Sequence, residues 1–188
     1  GVDQVLALQQ SVPDPSVLDT IFGLATDEPQ HPPLYYLLAR GWVALLGEGI
    51  GTLRTLSALL SLFSLPAMFW LCMELFGSRR IAWTGVALTA VSPFFVLYAQ
   101  EAREYALWTV LILLSSASLL FAVRKTRQKT GIIAAWIPYA LTLALSFYTS
   151  FSTTAVLAAH VVYVVLIERG RFTRTTIYAG TSMAAPHV

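Results

Sequence analysis

Four stretches of this chain, residues 55–76, 81–99, 105–123 and 131–167, contain almost no charge. About 20 consecutive apolar residues, wound as a helix, cross the roughly 30 Å hydrocarbon core of a bilayer. Backbone N–H and C=O groups find no water at that depth, so runs of this kind fold as helices that satisfy their own hydrogen bonds. The last run is long enough for two spans, with a reversal expected at Tyr148-Thr-Ser-Phe-Ser-Thr-Thr154. The chain therefore reads as all-α: a polytopic helical membrane protein with about five transmembrane helices in residues 52–167. Its 56% hydrophobic content agrees, since ordinary soluble domains hold about 45–50% apolar residues.

Charge is scarce, at 12% of residues, and its placement is informative. Nine of the twelve Lys and Arg residues fall in three loops: Arg79 and Arg80; Arg124, Lys125, Arg127 and Lys129; and Arg169, Arg171 and Arg174. With five spans these loops share one side, which the positive-inside rule makes cytoplasmic. Eight of the ten acidic residues fall on the other side, with residues 1–54 and the Gln100–Glu104 turn. The basic loops set orientation and touch anionic membrane lipids. A net charge of +2 gives no reason to expect a nucleic-acid partner.

Residues 1–33 are polar and proline-punctuated, and read as an external, periplasmic-side loop with short surface helices. Residues 34–47 follow as a surface or re-entrant helix, too short to span, with Tyr35, Tyr36 and Trp42 as rings suited to headgroup depth. Pro66 is expected to kink the first span and Gly77 to stop it. Ser92-Pro93 should break the second span near its outer end. Residues 168–188 form a cytoplasmic tail. The single cysteine, Cys72, excludes an intramolecular disulfide. An outer N-terminal segment is topologically awkward without a preceding span, so a membrane helix is expected upstream of Gly1.

Two polar constellations stand out on the outer side. One is Asp27-Glu28-Pro29-Gln30-His31, at the junction of the loop with the membrane; the other is Gln100-Glu101-Ala102-Arg103-Glu104-Tyr105. Ionisable groups beside hydrocarbon are costly to place and mark functional sites. An imidazole and a guanidinium beside carboxylates can hold a phosphate and leave a base for an acceptor. The competing readings are a capping role for His31 and a solvated turn whose charges pair among themselves. Glu74, near a span end, is expected to reach the surface beside Arg79 or Arg80. His160 suits an interhelical hydrogen bond better than a ligand role.

The strings His31-Pro-Pro-Leu-Tyr-Tyr-Leu-Leu38, Leu53-Arg-Thr-Leu-Ser-Ala-Leu59, Ser92-Pro-Phe94 and Tyr98-Ala-Gln-Glu-Ala-Arg-Glu-Tyr105 resemble the bacterial polytopic glycosyltransferases related to protein mannosyltransferases and lipid A aminoarabinose transferases. The resemblance covers residues 27 to about 170, in family order. It implies a partial GT-C fold, truncated at both ends, in a bacterial inner membrane with the active face periplasmic. It also implies a polyprenyl-phosphate sugar donor and a lipid, glycan or protein acceptor. By position it implies that His31 and Arg103 contact the donor phosphate, that Glu101 orients Arg103 or touches the sugar, and that Gln100 and Tyr105 complete the donor site. The family's catalytic acid belongs to an Asp-Glu pair just after the first span, a place this chain does not reach. Asp27-Glu28 is the one Asp-Glu dipeptide present and the candidate base; the true pair is expected upstream.

A divalent cation beside His31 stays open, because one histidine is no metal signature. A non-catalytic fragment or transporter segment is the alternative class, although midplane polar helices expected of transporters are missing from the pattern. Gly180-Thr-Ser-Met-Ala-Ala-Pro-His-Val188 resembles the nucleophile segment of subtilisin-like proteases, with Ser182 as nucleophile. Such a serine needs a positioned imidazole and a carboxylate. Neither accompanies it here, so protease activity is not expected.

Overall fold

The computed structural model describes residues 34–47, 49–101 and 103–167, which divide into two compact units between Thr153 and Thr154. The described residues form eight helices and, among them, no strand. They are α1 Leu34–Leu46, α2 Ile50–Leu62, α3 Ser64–Phe76, α4 Arg79–Val91, α5 Pro93–Gln100, α6 Tyr105–Gln128, α7 Ile132–Phe147 and α8 Thr153–Ile167. The chain is thus the helical membrane protein read from its composition. Large apolar side chains such as Leu88, Val91, Phe94 and Leu97 lie exposed, as suits helices bathed in hydrocarbon.

Two helices, Gly51–Phe76 and Tyr105–Gln128, are long and apolar enough to cross a membrane, and the bent pair α4 and α5 makes a third if taken as one span. By length and composition the count is two or three, where the sequence reading had five. The difference lies in α7 and α8, which divide the last apolar run on either side of the expected reversal. At 16 residues, α7 rises about 24 Å, short of a full hydrocarbon core.

Local rules place the breaks. Pro66 has no N–H for the carbonyl of Leu62, and the ladder is interrupted at Phe63, three residues before the proline. Gly77 ends α3 in the left-handed region at φ 63°, its N–H bonded to Met73 O at 2.9 Å. A proline ring crowds the preceding residue out of helical geometry, and Ser92 accordingly adopts φ −66°, ψ 124°. With Pro93 at the first position of α5, the two helices meet at 55°.

In the first unit α3 packs on α4 and α6, α2 on α5 and α6, and α6 on α7. Short α1 lies across the starts of α2 and α6. Its Tyr35, Tyr36, Ala39 and Val43 form one buried cluster with Leu53, Leu56, Leu107 and Leu111. The two tyrosines therefore face inward, at 1% and 7% exposure, rather than toward headgroups as the sequence suggested. Trp42 remains half-buried and donates its indole N–H to Thr52 O at 3.0 Å.

At the opposite end, Glu74 takes two hydrogen bonds from Arg124, Nε at 2.9 Å and Nη2 at 2.7 Å, and a third from Trp70 Nε1 at 3.3 Å. The guanidinium also lies over the Phe121 ring. Glu74 thus clamps α3 to α6 instead of reaching out to Arg79 or Arg80. Between α3 and α4 the helices approach closely at Gly85, where an added Cβ would stand 2.8 Å from Cys72 Sγ.

Two substitutions test these contacts. Replacing Glu74 by Gln removes the charge that holds Arg124, and is expected to cost about 1 kcal/mol, lowering the melting temperature in detergent by ~2–4 °C. Gly85→Ala should destabilise by about 1–3 kcal/mol through overpacking. Cys72→Gly in the same chain is expected to return part of that loss, as read by thermal unfolding.

Candidate functional site

The Gln100–Tyr105 turn joins α5 to α6. Because Ser92 bends the pair, α5 leans on α2 and delivers the turn beside the cluster that buries α1. Glu101 leaves the helix in extended geometry, φ −83°, ψ 129°, and Glu104 returns to helical geometry ahead of α6. Glu101 and Glu104 are half-buried while Gln100 and Arg103 are exposed. Interaction with the Tyr105 phenol, followed by the charges of Glu101 and Glu104, pushes the already high pKa of Arg103 upward. The exposed guanidinium is thereby a permanent cation able to donate to an anion.

Tyr105 also stands against Tyr98, ring centres 5.2 Å apart with planes tilted by 55°. Tyr98 in turn lines a partly open cleft of about 160 Å³ below the turn. Its other walls are Ser61 and Ser64 at the break between α2 and α3, Phe94, Phe95 and Ala99 on α5, and Ala106 and Thr109 on α6. These three hydroxyls are spent on nearby carbonyls: Ser61 on Ala58 O, Ser64 on Ser61 O across the break, and Thr109 on Tyr105 O. The cleft consequently offers mostly carbon to an occupant. A permanent cation in the adjoining turn and apolar walls in the cleft suit an amphiphile with an anionic head.

Of the residues singled out from sequence, Gln100, Glu101, Arg103 and Tyr105 come together in this one turn. Asp27, Glu28 and His31 lie outside the described residues, as does Ser182. The nearest described neighbour of His31 is Leu34, whose N–H donates to Tyr148 O at 3.2 Å. One residue on, Tyr35 is close enough to Glu104 for that charge to act on its phenol. The start of α1 is thus held at the same end of the unit as the turn. No group of three or more His, Cys, Asp and Glu side chains able to hold a metal ion occurs among the described residues.

Sequence reasoning missed the cleft. Its one linear signal is the hydroxyl pair Ser61 and Ser64 close to Pro66, the proline that breaks the helix.

Residues 30–187 match the family model described as dolichyl-phosphate-mannose-protein mannosyltransferase. No curated protein and no solved structure gives a significant match.

The influence of Tyr105 on Arg103 is testable without knowing any ligand. Tyr105→Phe keeps the ring against Tyr98 and deletes the acceptor, so the rate of Arg103 modification by phenylglyoxal should rise roughly threefold. Arg124, held by Glu74, serves as the internal reference in the same mass spectrum.

Proposed function

Since the chain belongs to the dolichyl-phosphate-mannose-protein mannosyltransferase family, whose members are GT-C-type membrane glycosyltransferases, we propose that its Gln100–Tyr105 turn binds the phosphate of a polyprenyl-phosphate sugar. The observation that carries this reading is that the turn holding Arg103 runs between Ala99 and Ala106, both of which line an apolar cleft. A water-insoluble phosphate needs both halves of that arrangement.

In transfer, an acceptor oxygen attacks the anomeric carbon while the bond from that carbon to the lipid phosphate breaks. The departing phosphate gains negative charge as the bond lengthens. A preorganised guanidinium stabilises that charge more than it stabilises the bound donor, which is what lowers the barrier. Arg103 is assigned this role, and His31 is assigned to the same phosphate from the start of the α1 segment. Glu101 orients Arg103 or touches the sugar, and Gln100 and Tyr105 complete the head-group contacts. Accepting the acceptor's proton falls to a carboxylate, with Asp27 and Glu28 as the candidates in this chain. The acceptor is a lipid, a glycan or a protein. The reaction is placed on the periplasmic face of a bacterial inner membrane, in line with the segregation of basic residues to the other loops.

Support for the lipid half comes from the cleft walls. Phe94, Phe95, Tyr98 and Ala99 present aromatic and methyl surface directly below the turn. A prenyl chain there leaves its phosphate at the level of Arg103.

Arg103→Ala and His31→Ala are expected to lower transfer from a polyprenyl-phosphate sugar by about a hundredfold or more each, with membrane insertion intact. Arg103→Lys, which keeps the charge and loses the planar fork, should fall between. Radiolabelled sugar transfer in reconstituted membranes reads all three. Wild-type rates in both alanine variants would remove the phosphate assignment.

A further inference from the structure

Tyr35 is the bulkiest fully buried side chain among the described residues, at 1% exposure. Its ring sits in the cluster formed by Leu53, Leu56, Leu107 and Leu111, which belong to α2 and α6. Its hydroxyl meets Ser57 Oγ at 3.1 Å, and Ser57 is itself fully buried. Glu104 of the turn acts on it electrostatically. The N–H of the residue before it is bonded to Tyr148 O. Four parts of the chain therefore meet within two residues of α1.

Apolar burial alone would be served by phenylalanine. A hydroxyl in such a cluster costs free energy unless it is bonded, so the tyrosine tolerates only those placements of α1 that reach Ser57. Hydrophobic contacts are non-directional and leave α1 free to slide; a buried hydrogen bond is not. In sequence, His31 stands four residues upstream across Pro32-Pro33.

We propose that the Tyr35–Ser57 hydrogen bond is a positioning contact: it fixes where α1, which follows His31 in sequence, sits relative to the Arg103 turn. Tyr35 and Ser57 act through the placement of α1 beside that turn and touch no substrate. The inference rests on the phosphate-site reading above, and it adds two residues that the polar motifs do not contain.

The test has a positional and a kinetic arm. With Cys72→Ala removing the single native thiol, Leu38→Cys and Gln100→Cys on exposed positions carry nitroxide labels in the reconstituted full chain. Tyr35→Phe and Ser57→Ala are each expected to widen the Leu38–Gln100 distance distribution measured by pulsed electron resonance. An unchanged width overturns the proposal. In unlabelled protein, each substitution should lower kcat/KM for a polyprenyl-phosphate sugar about fivefold to tenfold, chiefly through kcat. The double variant should be no worse than the worse single one, because both remove the same bond. A lowered melting temperature with unchanged kcat/KM would make the contact merely structural and also overturn the proposal. Full transfer in Arg103→Ala would sink the phosphate reading and the kinetic half with it, whereas the spin-label widths judge the positional half on their own.

Discussion

Hydrocarbon offers a protein no hydrogen-bond partners, and most of this structure follows from that one lack. Along the helices, Thr84, Thr89, Thr109, Thr126, Ser146 and Thr149 turn their hydroxyls back onto the carbonyl four residues earlier. Where a polar group is too large for that solution, it crosses to another element. Trp108 donates to Thr153, Trp136 to Thr126, and Arg124 to Glu74. Each crossing ties two segments together that apolar packing alone would leave free to slide. The turn between α5 and α6 stands out because it holds both signs of charge, Glu101, Arg103 and Glu104, between two apolar helices.

How far the sequence reached depended on the range of the rule involved. Gly77, Ser92-Pro93 and the bounds of α7 obey constraints acting within a few residues, so they could be read directly. The Pro66 disturbance was foreseen but falls at Phe63, because the orphaned carbonyl lies upstream of the proline. Tyr35 and Tyr36 were misread for a different reason. An amphipathic ring at a membrane surface and one in a buried cluster look alike in sequence, and only the packing of α1 on α2 and α6 separates them. Glu74 was paired with the nearest cations along the chain, whereas its partner lies 50 residues away.

The candidate site divides along the same line. Gln100, Glu101, Arg103 and Tyr105 were legible because charges amid apolar runs are conspicuous in one dimension. The cleft below them was not, since its walls come from four helices and Ser61 and Ser64 are its one linear trace. Family membership supplies the chemistry that joins the two halves, a sugar carried on a lipid phosphate. A turn holding a permanent cation above an apolar cleft fits the two ends of such a molecule.

The bend at Ser92 also bears on how this sequence can change over generations. Because α4 rests on α3 while α5 rests on α2, the two halves of one apolar run answer to different neighbours. A one-residue insertion in a continuous helix rotates everything beyond it by about 100°. Here such a rotation in α4 meets an extended residue at Ser92 before it reaches α5. The break works as a mechanical insulator: drift in the register of α4 is absorbed there, and the bearing of Arg103 is inherited from α2 instead.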